Sequence, residues 1–150
     1  MRWLGIDHGD SRIGLSISDE LGSFALPYRT LQCDSQVFQE IRRIVERERI
    51  GAILIGLPKN MDGTLGQSAA KAKTFGSEMS LVLPTIKVLF WDERLTTVEA
   101  QRALHAAGKN AKQSKKVIDQ VAAQILLQSY LDSLRLASGE TDPASPHASP

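Results

Sequence analysis

The chain has 150 residues, the size of one ordinary domain, and 42% of them are hydrophobic, which is enough to bury a core. Its 18 basic and 17 acidic residues leave a formal net charge of +1, which excludes a protein that binds nucleic acid through a strongly basic surface alone. The N-terminus lacks the apolar core of a signal peptide, and no apolar run reaches the roughly 18 residues of a membrane span, so we expect an intracellular protein without a membrane segment. A single cysteine, Cys33, excludes an internal disulfide and suits a reducing cytosol.

The N-terminal segment predicts a β-hairpin whose first strand ends in an acid. An apolar strand over residues 3–6 leads into Asp7, and a glycine-bearing turn follows. Residues 13–18 then alternate between apolar and small side chains, a pattern typical of a half-buried antiparallel strand. A carboxylate in a strand costs desolvation energy unless it is paired or binds a metal, so Asp7 requires a partner.

A third strand and a first helix are predicted after the hairpin. Residues 24–31 are apolar enough for a strand, although Pro27 weakens its pairing. Ser35 is a suitable N-cap for a helix that runs to about Arg49 with apolar side chains on one face. Gly51 is placed to end this helix.

Two continuous apolar runs, at residues 52–57 and 86–91, predict strands that are buried on both faces of a sheet. A helix over about residues 65–81 separates them. Their length and their lack of alternation favour parallel pairing in the interior of the domain.

Two further helices are predicted toward the C-terminus. Thr96 and Glu99 have the spacing of a capping box, and Gly108 suits the end of the helix that they would begin. A last helix covers about residues 115–136. Residues 137–150 are rich in Ser, Pro, Gly and Ala, and this composition predicts a disordered tail.

The order of these elements indicates one α/β domain over residues 1–136, with a mixed five-stranded sheet flanked by helices. In such sheets the carboxyl ends of the parallel strands form one rim, where functional residues gather. Asp7 ends the first strand, while Asp92 and Glu93 end the last, so we expect these acids to share the rim. The pattern alone does not decide between Asp92 and Glu93.

A third acid is assigned from the phase of the last helix. Gln120, Gln124 and Gln128 recur every four residues, which we interpret as the water-facing stripe. Asp119 lies about 140° from Gln124 around the helix axis, among apolar residues. An acid in the first turn often only balances the helix dipole, but this one is predicted to face the sheet and to reach the same rim.

Carboxylates that converge in this way favour a hard divalent cation. Two of them at 4 Å repel by about 4 kcal/mol at an effective dielectric constant near 20, and a bound cation removes that cost. All-oxygen ligands favour Mg²⁺ or Mn²⁺ over zinc, and the scattered histidines and single cysteine offer no zinc cluster. Acids that hold Mg²⁺ are typical of phosphoryl chemistry.

Basic residues near these acids favour a substrate that carries phosphates. Arg12 and Arg94 each follow an acid by a few residues, where they could clamp a phosphate or pair with a local carboxylate. A lysine cluster before and within the last helix has two interpretations, phosphate contact or a solvated surface: Lys109, Lys112, Lys115 and Lys116.

Four ordered motifs resemble the YqgF/RuvX family, the RNase H-like relatives of the RuvC Holliday-junction resolvases. They are GIDHGDSRIGLSISD at residues 5–19, GLPKNMDGTLG at 56–66, WDERLTTVEA at 91–100 and VIDQVAAQILLQSYLD at 117–132. The resemblance implies an RNase H-like fold and a metal-dependent nuclease that matures the 5′ end of pre-16S ribosomal RNA in the cytoplasm. It also implies that the family's acids correspond to Asp7, Glu93 and Asp119.

The chain departs from the family pattern at four positions and leaves the acids intact. His8 stands where tyrosine is common, and uncharged residues replace typical basic ones at Ser11, Gln113 and Ser114. These changes bear on the strength of nucleic-acid contact.

The leading hypothesis is therefore an Mg²⁺- or Mn²⁺-dependent nuclease that acts on structured RNA, a ribosomal RNA precursor above all. One alternative is a resolvase of branched DNA, which requires a homodimer, whereas the RNA nuclease could act as a monomer. A phosphate-binding ATPase of the actin and sugar-kinase type is disfavoured because the chain supplies one domain where two are needed. A ribosome-assembly factor that binds RNA without cutting it is the remaining alternative.

Overall fold

In the computed structural model, the chain folds into one mixed sheet with helices on both of its faces. The structure describes residues 1–96, 102, 106 and 115–139. Within them, the strands are β1 (Arg2–His8), β2 (Arg12–Ser18), β3 (Ala25–Gln32), β4 (Ile50–Leu57) and β5 (Lys87–Asp92). The helices are α1 (Val37–Glu48), α2 (Gln67–Val82) and α3 (Lys115–Ala137), and a short 3-10 turn, Glu93–Leu95, follows β5.

The strand order is β3-β2-β1-β4-β5, which confirms the predicted five-stranded mixed sheet. β2 pairs antiparallel with β1 and with β3, while β4 pairs parallel with β1 and with β5. β1 therefore lies at the centre of the sheet, and the carboxyl ends of β1, β4 and β5 lie at the same rim.

The alternation of side chains along β1 assigns each residue to one of two cores. Leu4 and Ile6 belong to the larger core, which includes side chains of α1 and α2. Trp3 belongs to the smaller core, which includes leucines of α3. By the same alternation, Asp7 points to the α3 face and His8 points to the face of α1 and α2.

Strand β2 is buried on both faces, so the prediction that it is half-buried is wrong. Ile13 and Leu15 are fully buried in the larger core. Ser16 is also fully buried, beneath α3. Its hydroxyl group is satisfied there by a 2.7 Å hydrogen bond that it donates to the carbonyl oxygen of Ala123. The small residues of the alternation thus mark close packing of a helix rather than exposure to water.

The glutamine stripe of α3 faces the sheet edge, which corrects its interpretation as the water-facing side. Gln124 donates to the carbonyl oxygen of Ala25 at 3.0 Å, and Gln128 accepts from the amide of Ala25 at 2.8 Å. Gln120 donates to the hydroxyl group of Thr30 at 3.2 Å. These amide side chains satisfy polar groups of β3, the edge strand next to β2.

The helix α1 ends at about Arg49 as predicted, but the residues predicted to cap its two ends are wrong. The helix begins after Gln36, whose amide donates to the carboxylate of Asp34 at 2.9 Å, so Ser35 is not the N-cap. It ends at Arg49, which adopts the left-handed conformation with φ 55°. Gly51 does not end the helix but belongs to β4, where a Cβ atom would lie 2.6 Å from the Met1 side chain.

The structure tests the remaining predictions only in part, because some of them fall on residues that it does not describe. Strand β3 contains Pro27 at an irregularity in its pairing with β2, as expected of proline in an edge strand. Most of the helix predicted between Thr96 and Gly108 lies outside the described residues, and so do residues 140–150 of the predicted tail. No helix of the described part is long and apolar enough to cross a membrane.

Candidate active site

Asp7 lies near the end of the central strand, on the face that α3 covers. It pairs across the sheet with Gly14 of β2. The pKa of its carboxyl group is raised from 3.8 to about 6, mainly by burial and to a smaller extent by the negative charge of Asp119. The group is therefore a half-buried acid with an acidic neighbour, in an environment that disfavours its charged form.

Glu93 approaches Asp7 from the end of β5. It is the first residue of the 3-10 turn, and its carboxylate lies against Gly56 of β4, where a Cβ atom would overlap Oε1. Burial raises the pKa of Glu93 from 4.5 to about 7, with further contributions from Asp7 and then Asp92. Since β4 separates β1 from β5, the glycine at position 56 provides the space that lets Glu93 reach toward Asp7.

Asp119 reaches the site because α3 lies directly on the sheet. A Cβ atom at Gly14 would overlap the carbonyl oxygen of Asp119, and one at Gly5 would lie 3.2 Å from that of Ala123. The Asp119 carboxylate accepts a 2.7 Å hydrogen bond from Nε of Arg12, in an ion pair whose side chains are 23% and 31% exposed, respectively. Of the two roles predicted for Arg12, the structure shows the pairing with a carboxylate.

Asp92 does not join Asp7, Glu93 and Asp119, because its carboxylate is paired with Arg94. The Arg94 guanidinium donates to Oδ1 of Asp92 at 3.1 Å and to Oδ2 at 3.0 Å and 2.6 Å, and the backbone amide of Arg94 donates to Oδ1 at 2.9 Å. The hydrogen bond from Arg94 lowers the pKa of Asp92. Arg94 also contacts the carbonyl oxygens of Asn60 and Met61 at 3.5 Å and 3.4 Å, so it links β5 to the loop between β4 and α2.

The three predicted acids thus form two electrostatic pairs that share Asp7. Within residues 1–96, 102, 106 and 115–139, no three acidic, histidine or cysteine side chains form a group that could hold a metal ion as they stand. The chemistry of the side chains fits a hard divalent cation, because Asp7 and Glu93 are half-buried carboxylates and the charge of Asp7 acts on Glu93. The Arg12 guanidinium, which holds Asp119, is the group that such a cation would compete with.

The predicted lysine contacts are described only in part. Lys109 and Lys112 lie outside the described residues, and only the backbone of Lys115 is described. Lys116 is exposed, and its carbonyl oxygen accepts a 2.6 Å hydrogen bond from the Thr30 hydroxyl group.

Sequence reasoning missed the partner of Arg12 in the site. The ion pair of Arg12 with Asp119 joins residues 107 positions apart, and no local pattern signals it. The approach of α3 to the sheet was predicted from the phase of the helix, and the isolated Gly14 within a strand is a further sign of a backbone that passes nearby. Gly56, at the end of an apolar run, likewise marks a close approach, in this case by the Glu93 side chain.

Comparisons with known proteins agree with this architecture. The chain matches the family described as "RuvX: Holliday junction resolvase" over residues 1–133. It is 45% identical over 136 residues to the "Putative pre-16S rRNA nuclease" of Acetivibrio thermocellus, an alignment that covers 89% of this chain and 96% of the relative. A protein of Clostridium botulinum strain Hall with the same name is 44% identical over 136 residues, with 89% and 98% covered.

Solved structures show the same fold at low sequence identity. Thermus thermophilus RuvC in complex with a Holliday junction substrate superposes with a TM-score of 0.60 at 16% identity, and 92% of this chain and 97% of that chain are covered. The fowlpox virus resolvase in complex with Holliday junction DNA gives a TM-score of 0.53 at 13% identity, with 89% and 99% covered. The predicted RNase H-like, RuvC-like fold is therefore confirmed.

Proposed function

This chain belongs to the RuvX family, and on that premise we propose that it is a metal-dependent nuclease that processes the 5′ end of precursor 16S ribosomal RNA. Its relatives at 45% and 44% identity are named for nuclease action on pre-16S rRNA. The observation that carries the proposal is the convergence of Glu93 and Asp119 on Asp7 at the rim of the sheet, where burial and a neighbouring acid raise the pKa of Asp7 (through Asp119) and of Glu93 (through Asp7). The assignment implies a cytoplasmic protein.

In this proposal Asp7, Glu93 and Asp119 hold Mg²⁺ or Mn²⁺. When bound, the cation supplies charge neutralisation among the acids and Lewis acidity toward a phosphodiester. Asp7 contributes the most enclosed of the ligands, because β1 is central and α3 covers it. Glu93 follows the end of a parallel strand, where it faces both Asp7 and the solvent from which a substrate arrives.

Arg12 has a second role in this proposal, which is to exchange partners. It neutralises Asp119 in the free protein. With Asp119 engaged as a metal ligand, the Arg12 guanidinium would be free beside the site to pair with a phosphate of the RNA. Arg94 is proposed mainly as a brace, since most of its donors are engaged by Asp92 and by the neighbouring loop.

The lysines near α3 are proposed to contact the RNA backbone. Lys116 is exposed at the same end of the helix as Asp119. Lys109, Lys112 and Lys115 stay predictions from the sequence. Such contacts would position the RNA through charge and would make its affinity fall as salt concentration rises.

Cleavage of a labelled pre-16S rRNA 5′ leader tests this proposal. We expect cleavage by the unmodified protein in Mg²⁺ and none in EDTA, and Asp7→Asn should lower the rate by roughly 100-fold or more. Asp132→Asn, which changes an acid farther along α3, is the matched control and should retain the rate. Equal cleavage by the Asp7→Asn variant would overturn the assignment of the acids.

A DNA resolvase is the second candidate, favoured by the family description as a Holliday junction resolvase. It is tested with a branched DNA substrate in the same assay. Paired symmetric cuts in the DNA and an intact RNA leader would replace the rRNA assignment. Binding of the leader without cleavage of either substrate would favour the RNA-binding assembly factor.

A further inference from the structure

A second concave site lies on the other face of the sheet from the acids. It is a cavity of about 530 Å³ between α1 and α2, and His8 lines it. Asp7, the preceding residue, points to the opposite face, and adjacent Cα atoms are about 3.8 Å apart. The cavity therefore opens at the same strand end as the proposed active site, and its volume lies in the range of pockets that bind small molecules.

Aromatic rings form one wall of this cavity. The His8 ring lies 4.8 Å from the ring of Phe75, measured between centroids. Phe75 in turn stacks on Phe38 at 5.0 Å with an angle of 23° between the ring planes. Phe75 is only 6% exposed, so it supports the rings of His8 and Phe38, which are partly exposed and form the accessible platform. Unpaired nucleobases stack on platforms of this kind.

The charged groups around the cavity select against a phosphate. Asp10, Asp34 and Glu78 contribute carboxylates, and Lys71 contributes a positive charge that a 2.9 Å ion pair with Asp10 neutralises. The excess of negative charge repels phosphate and favours a neutral group that donates hydrogen bonds. Guanine presents adjacent N1–H and 2-amino donors, which match the two oxygens of a carboxylate.

We propose that this cavity binds an unpaired guanine base of the nucleic-acid strand that the acids cut. The proposal rests on the proposed function for its substrate. A strand that crosses the end of β1 can place a phosphodiester over Asp7 on one face and a neighbouring base against His8 and Phe38 on the other. The cavity would then select where along an unpaired segment the strand is positioned.

Binding without cleavage tests the cavity directly. The probe is a short fluorescent oligouridine RNA with one central guanosine, compared in EDTA with the same RNA that carries an abasic site or inosine there. Fluorescence anisotropy measures the affinity. Ala70→Trp fills the cavity from α2, and Ser77→Trp is the matched control, because Ser77 is an exposed residue of α2 outside the cavity lining.

We expect the protein to bind the guanosine RNA roughly tenfold more tightly than the abasic RNA, as for one stacked base. Ala70→Trp should remove this difference, whereas Ser77→Trp should preserve it. The Asp34→Asn variant keeps an oxygen that can accept from the backbone N–H of Gln36. It should lose mainly the preference for guanosine over inosine, which lacks the 2-amino group. Equal affinity for guanosine and abasic RNA, or an unchanged preference in Ala70→Trp, would overturn the proposal and leave the cavity to a partner of another class.

Two further comparisons identify the source of the base and distinguish a failure of the cavity proposal from a failure of the proposed function. Deoxyribose forms of the same oligonucleotides show whether the guanine comes from RNA or DNA, and discrimination by either set supports the cavity. The Asp7→Asn variant is expected to keep the guanosine preference in EDTA while it loses cleavage in Mg²⁺. Cleavage that depends on Asp7 without any guanosine preference would refute the cavity proposal and leave the nuclease assignment intact.

Discussion

At the scale of single residues, Asp7 is the group on which the electrostatics of the site depend. Its pKa of about 6 and the pKa of about 7 at Glu93 have the same primary cause, burial, and each acid also has an acidic neighbour. Both groups favour a proton, or a cation, over bare negative charge. Arg12 relieves only Asp119, so the two buried acids need another counter-charge.

The Asp7→Asn substitution should stabilise the metal-free protein in a pH-dependent way. A folded pKa of about 6 lies above the ordinary value of 3.8, so the folded state binds the proton more tightly and loses stability as pH rises between these values. The loss is at most about 3 kcal/mol. Urea unfolding in EDTA should therefore find the variant more stable than the unmodified protein at pH 7.5 and nearly equal to it near pH 4. A constant difference across this range would contradict the buried, charged Asp7.

Substitution of Arg12 by alanine should weaken RNA binding in a salt-dependent way. If the guanidinium neutralises one phosphate, its loss lowers the slope of log affinity against log salt concentration by about 0.7 to 0.9. Arg42→Ala is the control, because Arg42 lies on the exposed face of α1 and pairs with Glu46. An unchanged slope for Arg12→Ala would restrict Arg12 to its ion pair with Asp119.

At the scale of elements, the site depends on how closely α3 lies on β1 and β2. Gly5 and Gly14 leave no room for a Cβ atom beneath the helix, and Ser16 donates to its backbone. The glutamines along the helix hold it to β3. Asp119 is consequently positioned by backbone contact as well as by Arg12.

The Gly14→Ala substitution should destabilise the protein and disturb the site together. The added methyl group meets the backbone of α3, which cannot rotate away, so we expect a loss of about 2 kcal/mol or more in unfolding free energy. Gly51→Ala is the matched control, because its methyl group meets only the flexible side chain of Met1, and it should cost less than about 1 kcal/mol. Similar losses in both variants, measured by urea unfolding, would argue against the close approach of the helix.

The glutamines show where inference from the sequence reached its limit at this scale. Their four-residue spacing correctly indicates one face of a helix, but spacing does not distinguish water from the polar groups of an edge strand. Asp119 still lies near Asp7, because the adjacent apolar residues of α3 face the sheet whichever way the glutamines are satisfied. The N-cap at Ser35 failed similarly, since Asp34 offers a competing oxygen one residue earlier.

At the scale of the whole molecule, the sheet separates two sites that its central strand connects. Apolar runs and alternation predict the five strands and their mixed pairing, since these patterns report burial. They do not predict the cavity beside His8, because its walls come from α1, α2 and the hairpin turn, which meet only in the folded chain. The same holds for the Arg12 ion pair and for the choice of Glu93 as the acid that faces Asp7.

The measurement that tests the central claim most directly is the effect of Mg²⁺ and Mn²⁺ on the melting temperature of the unmodified protein and of Asp7→Asn. If Asp7, Glu93 and Asp119 bind a cation in the folded state alone, the metal should raise the melting temperature of the unmodified protein. The Asp7→Asn variant should melt higher than the unmodified protein without metal and should gain nothing when metal is added. An equal metal-induced rise in both proteins would contradict the account.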